Sequence, residues 1–348
     1  MANTIYAPAV EVSINGKKLT GESQASLQSL KVSEELNVST MFELSFSATS
    51  FGDASWQGVD LDTFKPGDVI KIAMGLEKPL PITVGEVAGV DPTFGDCSSV
   101  IVRGYDRLYR MSFGTKLRVF ANKSDSQIAA EMARDAKLTP SVEETGIKMN
   151  AMIQNNNSDL EFLTRRVKEL DYEMGVDDKK FFFQKSREGR SPVATLEYAV
   201  DFDDLNLAMK VVNEGSKVNV VGWDVKNKKV FDGKTSGAPA SARMGGSETG
   251  YQVSSKFPSS EITLTDRAVT TPASARKMAE AESEVTLKNF IEGGGSCDGD
   301  PRLRAGSNLK ITGVGKRFSG IYYITSCVHE YDQEQGYRTN FKVRRTGI

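Results

Sequence analysis

The stretch FKPGDVIKI (Phe64–Ile72) has a counterpart 239 residues further along the chain, LRAGSNLKI (Leu303–Ile311). Each places an apolar residue, a basic residue and a glycine ahead of an aliphatic-Lys-Ile ending. Alternating apolar runs flank both copies in the same order. Leu30–Val32 and Phe42–Phe46 precede the first, as Met209–Val211 and Val218–Val220 precede the second once an insertion is excised. Val84–Val90 and Val100–Val102 follow the first, as Tyr323–Val328 and Phe341–Val343 follow the second. Period-two alternation of β-branched and aromatic residues marks half-buried strands. The chain therefore reads as two β units of similar design.

A more obvious echo is a decoy. VIVRGYD (Val100–Asp106) and VNVVGWD (Val218–Asp224) end alike, but aligning them puts the remaining strands out of order. In each, the glycine lets the chain leave a sheet, the aromatic packs over the rim and the aspartate bonds its neighbouring backbone.

Working outward, residues 1–110 form the first unit, with strands around Val10–Ile14, Leu30–Val32, Phe42–Phe46, Val69–Met74, Ile82–Val90 and Ser99–Tyr105. KPGD, EKPLP and DPTFGD punctuate them with turn residues. Residues 111–200 form an α/β middle domain. Ser124 caps a helix carrying Ile128, Ala129, Met132 and Ala133, which ends by Pro140, and Ser158 with Glu161 has capping-box spacing ahead of a second helix. YEMGVDDKKFFFQK (Tyr172–Lys185) reads as a hairpin turning at Val176–Lys179.

The second β unit is split into 201–232 and 301–348 by a flexible and helical insertion at 233–300. Its Gly/Ser/Ala-rich opening, DGKTSGAPASARMGGSETG (Asp232–Gly250), suits a mobile linker. Thr271 and Pro272 then suit N-cap and N1 of a helix that Gly293–Gly295 stop. The fold class is mainly β with α+β, two tube-like β-barrels joined by the middle segment.

Lys plus Arg number 44 against 46 Asp plus Glu, a net charge of −2 with no long block of one sign. This argues against specific nucleic-acid binding and against an anionic-membrane binder. Cys97, Cys297 and Cys327 are odd in number and lack CxxC spacing, so neither a disulfide framework nor a zinc site is indicated, and a reducing compartment fits. MANTIYAPAVEVSING lacks the basic-then-apolar pattern of a signal peptide, and no run reaches membrane-spanning length, so no membrane segment is expected.

Four strings, VRGYDRLYRM (Val102–Met111), QNNNSDLEFLTRRVKELDYE (Gln154–Glu173), VVGWDVKNKKV (Val220–Val230) and GDPRLRAGSNLKITGVGKRFSGIYYITSCVHEYD (Gly299–Asp332), occur in this order. Together they closely resemble the phage late control D family, the tail hubs of contractile phages and related bacterial injection systems. A similar hub region lies in type VI secretion spike proteins. The resemblance covers nearly the whole chain, most weakly the first fifty or so residues and 233–270. It implies a non-enzymatic structural baseplate hub, a homotrimer joining a trimeric spike to the hexameric inner tube protein, with no cofactor. Two similar units in each of three chains give six, which lets a threefold ring meet a sixfold tube. The sequence ends at VRRTGI soon after its last strand, so a separate spike protein is expected, beside other baseplate proteins. Assembly in the bacterial cytoplasm and incorporation into the baseplate of a phage tail or injection particle follow. The rivals are a baseplate-associated cell-wall hydrolase and a generic β-barrel binding module.

No catalytic, metal or cofactor residue is assigned. His329, the only histidine, shares a strand face with Cys327 but not with Glu330, so a structural strand position is the reading. Asp201, Asp203, Asp204, Asp298 and Asp300 match no EF-hand spacing and read as turn and capping groups. Gly315-Lys316-Arg317 lacks the GxxxxGK[ST] pattern and reads as a hairpin turn; Lys226, Lys228 and Lys229 read as a solvated turn.

Overall fold

The computed structural model describes residues 8–19, 21–50, 56–95, 98–212, 214–224, 227–238, 242–266, 269 and 271–348. Cys97 and Lys226 lie outside the described residues. The first stretch comprises β1 (Ala9–Ile14), β2 (Lys17–Lys18), α1 (Gly21–Ala25), β3 (Leu27–Glu35), β4 (Met41–Ser50), β5 (Trp56–Gly58), β6 (Val69–Gly75), β7 (Leu80–Thr93) and β8 (Ser99–Asp106). β9 (Lys116–Ser124), α2 (Asp125–Asp135), β10 (Thr139–Val142), β11 (Lys148–Asn157), α3 (Asp159–Leu170), β12 (Tyr172–Asp177) and β13 (Lys180–Lys185) follow. Next come β14 (Ala194–Glu197), β15 (Phe202–Met209), β16 (Lys217–Asp224), β17 (Lys229–Thr235), α4 (Gly250–Val253), β18 (Glu261–Leu264) and α5 (Pro272–Leu287). β19 (Ile291–Asp298), β20 (Asn308–Thr312), α6 (Gly315–Phe318), β21 (Gly320–Asp332) and β22 (Gly336–Arg345) complete the chain.

The protein is mostly β, organised on one large and mainly antiparallel sheet. Its strand order is β15-β19-β22-β21-β3-β4-β8-β7-β6-β1-β2, with β20 beside β21, β14 beside β20 and β5 beside β4. Inside it, one five-strand array occurs twice: β3-β4-β8-β7-β6 and β15-β19-β22-β21-β20. The row Leu30, Leu44, Val102, Val90 in the first is matched in pairing by Leu205, Gly295, Phe341, Cys327 in the second. Likewise Gly85 opposite Ile70 is matched by Tyr322 opposite Leu309. Two irregularities recur as well. The bulge between Leu27 and Ser29 returns between Phe202 and Asp204, and that between Val87 and Gly89 returns between Ile324 and Ser326. A bulge costs a ladder bond and bends a strand, so its recurrence marks a shared local geometry.

This pairing corrects part of the sequence reading. Ile291–Asp298, assigned to the insertion with its glycines stopping a helix, is the strand β19, the counterpart of β4. Lys217–Asp224, assigned to the second β unit, instead pairs with β17 and β18 in a separate sheet packed under α5. The break in the second array thus runs from 210 to 290. Gly315–Phe318 forms one helical turn, α6, between paired strands, where a hairpin turn alone was expected. The two echo glycines do not take the chain out of its sheet: both lie inside strands. A Cβ on Gly104 would meet the Phe42 ring at 2.2 Å, and one on Gly222 would meet the Phe231 ring at 2.4 Å. The aspartates behave as expected, Asp106 accepting from Leu108 N–H and Asp224 from Asn227 N–H.

The middle segment follows its local signals. Ser124 and Gln127 close a capping box on α2, Ser158 and Glu161 another on α3, and β12–β13 is the hairpin. Arg166 of α3 reaches the Asp125 carboxylate at the start of α2 with both side chains buried, tying the helices together. Ile128, Met132, Phe162, Leu163, Phe181 and Phe183 fill their shared core. Each such fully buried side chain contributes on the order of 1.5–3 kcal/mol.

Candidate assembly interface

The structure gives the histidine and the aspartates weighed as sites definite partners within the fold. His329 on β21 is fully buried, with Nε2 3.0 Å from the Leu303 carbonyl and Nδ1 2.8 Å from the Tyr337 hydroxyl. A carbonyl can only accept, so Nε2 carries the proton and Nδ1 accepts from Tyr337. Burial pushes its pKa down to about 4, so the ring is neutral near pH 7. The Cys327 thiol lies 3.4 Å from Nε2 on the shared face, and burial raises its pKa well above the usual value. Glu330 points the other way and pairs with Lys31 on β3. Among the described residues, no three His, Cys, Asp or Glu side chains are grouped to hold a metal ion.

Asp201 and Asp300 take turn roles, accepting from Glu197 N–H and Arg302 N–H. Asp203 and Asp204 do not: both are strand residues of β15, Asp203 pairing with Arg338 and Asp204 accepting from Ser296. Asp298, at the end of β19, also pairs with Arg338.

The geometry that stands out is how the arrays meet. β3 lies antiparallel beside the far half of β21, with seven Cα partners from Ser326↔Glu35 to Asp332↔Ser29. Under this junction the buried Glu34 carboxylate accepts two bonds from Arg304, at 2.7 and 2.8 Å. A second contact brings the middle segment and α5 onto the second array. Glu173 of β12 accepts from the Tyr323 hydroxyl at 2.6 Å, and Arg344 holds Glu188 at 2.6 Å. Lys288, just past α5, binds Asp171. Burial and the nearby Asp171 raise the Glu284 carboxyl to about 7. These pairs join residues more than 100 positions apart, and no short motif announces them.

Outside, the β9–β11 pair presents an apolar face. Val119 stands opposite Ile153, Leu117 is one step along, and all three are more than half exposed. No described helix is long and apolar enough to cross a membrane.

Strand pairing and ion-paired junctions thus join the two arrays and the middle segment within the chain, and solved structures share this fold. A 43 kDa tail protein of prophage MuSo2 from Shewanella oneidensis superposes with a TM-score of 0.72 at 14% identity, over 97% of this chain and 98% of that one. A tail protein from Neisseria meningitidis gives 0.70 at 9% identity, over 98% and 97%. The Escherichia coli c3393 protein, a type VI secretion component described as similar to T4 bacteriophage tail proteins gp27 and gp5, gives 0.64 at 13% identity, over 97% and 78%. The fold is thus one found in phage tail and type VI secretion proteins. By sequence the chain belongs to the family described as the Alg8 N-terminal domain, whose model matches residues 6–333. No curated protein matches it.

Proposed function

We propose that this chain is the structural hub of a contractile tail or injection system, of the late control D type, acting as a homotrimeric adaptor. One face seats a separate trimeric spike and the other meets the hexameric inner tube, with other baseplate proteins around it. The carrying observation is the doubled five-strand array. Two copies of one array in each of three chains amount to six units, the arrangement that lets threefold and sixfold partners share an axis. In this reading each array is a wall of a tube-like barrel. Residues 1–110 hold the first, 111–200 the middle domain, and 201–209 with 291–348 the second. The work is packing and strand-edge complementarity, with no catalysis and no cofactor. The particle forms in the bacterial cytoplasm and carries the chain in its baseplate.

The test is the solution mass of the purified chain by light scattering, alone and mixed with the candidate spike. A species of three 38.0 kDa chains in either condition is expected. A single-chain mass in both would overturn the reading.

A further inference from the structure

β21 uses one edge twice: its first half pairs with β20 and Ser326–Asp332 pairs with β3. Its counterpart β7 uses half of that edge. Residues Leu80–Glu86 pair with β6, and among the described residues no strand lies beside Gly89–Thr93 on that side. The counterpart of β3 is equally incomplete. β15 ends the sheet, with β19 on one side and no strand among the described residues on the other. Each open edge is one half of a junction the chain already builds internally.

Burial follows the same division. On β3, inside the junction, Leu30 and Val32 are buried; their counterparts Leu205 and Leu207 on β15 are only partly covered. On β21, Cys327 and His329 are buried, whereas the matching Val90 is half-buried and Pro92 exposed. Both open edges therefore carry an apolar side that lacks the cover its counterpart has.

We propose that a second copy of this chain closes these edges on each other, β15 of one copy lying antiparallel beside Gly89–Thr93 of the next. The internal junction supplies the register. Carrying Ser33↔Val328 and Lys31↔Glu330 across the correspondence sets Ala208 opposite Asp91 and Asn206 opposite Thr93. On the inner face Met209 meets Val90 and Leu207 meets Pro92, an apolar match in place of the Glu34 and His329 of the internal seam. Unpaired strand edges present backbone donors and acceptors that favour this mode of association. Pro92 removes at most one donor, and proline is a residue that sheet edges tolerate. The two surfaces differ, so copies add head to tail and stop when the ring closes. The proposal rests on the homotrimer reading, in which three copies give six arrays joined alternately by internal and external seams of one geometry.

Cysteine pairs test the register in the full chain, on a Cys97→Ser background. Paired strand residues fall within disulfide reach, whereas a four-residue displacement leaves about 14 Å between Cα atoms. Asp91→Cys with Ala208→Cys, and separately Thr93→Cys with Asn206→Cys, should give covalent dimers and trimers on oxidation at low protein concentration. Thr93→Cys with Lys210→Cys should not. Equal yields from all three pairs would overturn the seam. Absence of cross-links in a preparation whose mass is three chains would overturn it too, leaving the hub reading intact. Absence of cross-links with a single-chain mass, alone and with spike, would remove both.

Discussion

His329 shows how a residue that invites a catalytic reading is fixed by its surroundings. Its ring is fully buried between a carbonyl and a hydroxyl, which suits the neutral form. The pKa falls from the usual 6.5 to about 4 because burial penalises the charge. The unfolded chain therefore binds a proton between these values that the folded chain does not. This stability is fully present above pH 6.5 and lost as pH falls toward 4. At 1.36 kcal/mol per pKa unit, the contribution is roughly 3 kcal/mol. Asp106 acts in the opposite sense: burial raises its carboxyl to about 6, so its contribution is present below pH 3.8 and lost as pH rises through 6. The slopes oppose, and only a difference isolates the histidine. Urea unfolding of wild type and His329→Gln should show the wild-type advantage shrinking by roughly 3 kcal/mol between neutral pH and about pH 4. A difference that does not change with pH would mean the ring titrates as in water.

At the level of elements, the capped helices, the hairpin and the strands around the two LKI-type motifs were legible because their signals are local. Capping boxes need three residues of context and alternation needs five or six. The strand β19 was not, because side-chain volume has moved between neighbours. In the first array Phe42 fills the space over Gly104 and Gly85; in the second those three positions are Gly293, Val343 and Tyr322. A large residue between two glycines has become a glycine between two large residues. Total packing is kept, but β19 loses the apolar alternation that identifies a strand, and a glycine run reads as a stop. The start of β15 was hidden for a different reason. Asp203 and Asp204 suggest a turn, while Leu205 and Leu207 carry the strand pattern that places them in β15. Gly104→Ala tests the volume exchange. Its Cβ would lie 2.2 Å from Phe42 Cζ and 2.3 Å from the Glu86 carbonyl, a conflict partly with backbone. Overpacking of this kind typically costs about 1–3 kcal/mol. Chemical denaturation should place the variant in that range, and a neutral result would show that the first array relaxes more easily than its close packing suggests.

Across the whole molecule, the two arrays are continuous through β3 and β21, so the seam decides whether they hold together as one frame. Strand pairing there supplies backbone bonds along seven residue partners, and Glu34 with Arg304 adds a charged clamp beneath them. The clamp is asymmetric: the Glu34 side chain is 6% exposed and that of Arg304 36%. Removing the carboxylate leaves a guanidinium that water reaches in part. The expected loss for Glu34→Ala is therefore about 1–3 kcal/mol, below the 3–5 kcal/mol seen when a fully buried pair is broken. Where that loss falls matters more than its size. If the clamp holds the seam, hydrogen exchange should quicken in Ser29–Glu35 and Ser326–Asp332 together, while amides of the β1–β6 pair, on the far side of the first array, keep their protection. Uniform loss across both arrays would instead mean that the seam opens only with global unfolding. The external seam has Met209 where the internal one has Glu34, and so lacks this clamp. It should separate at lower denaturant than the chain unfolds, and light scattering beside circular dichroism along one urea series would register the two events apart. A single coincident transition would show that the arrays cannot stand without their neighbours.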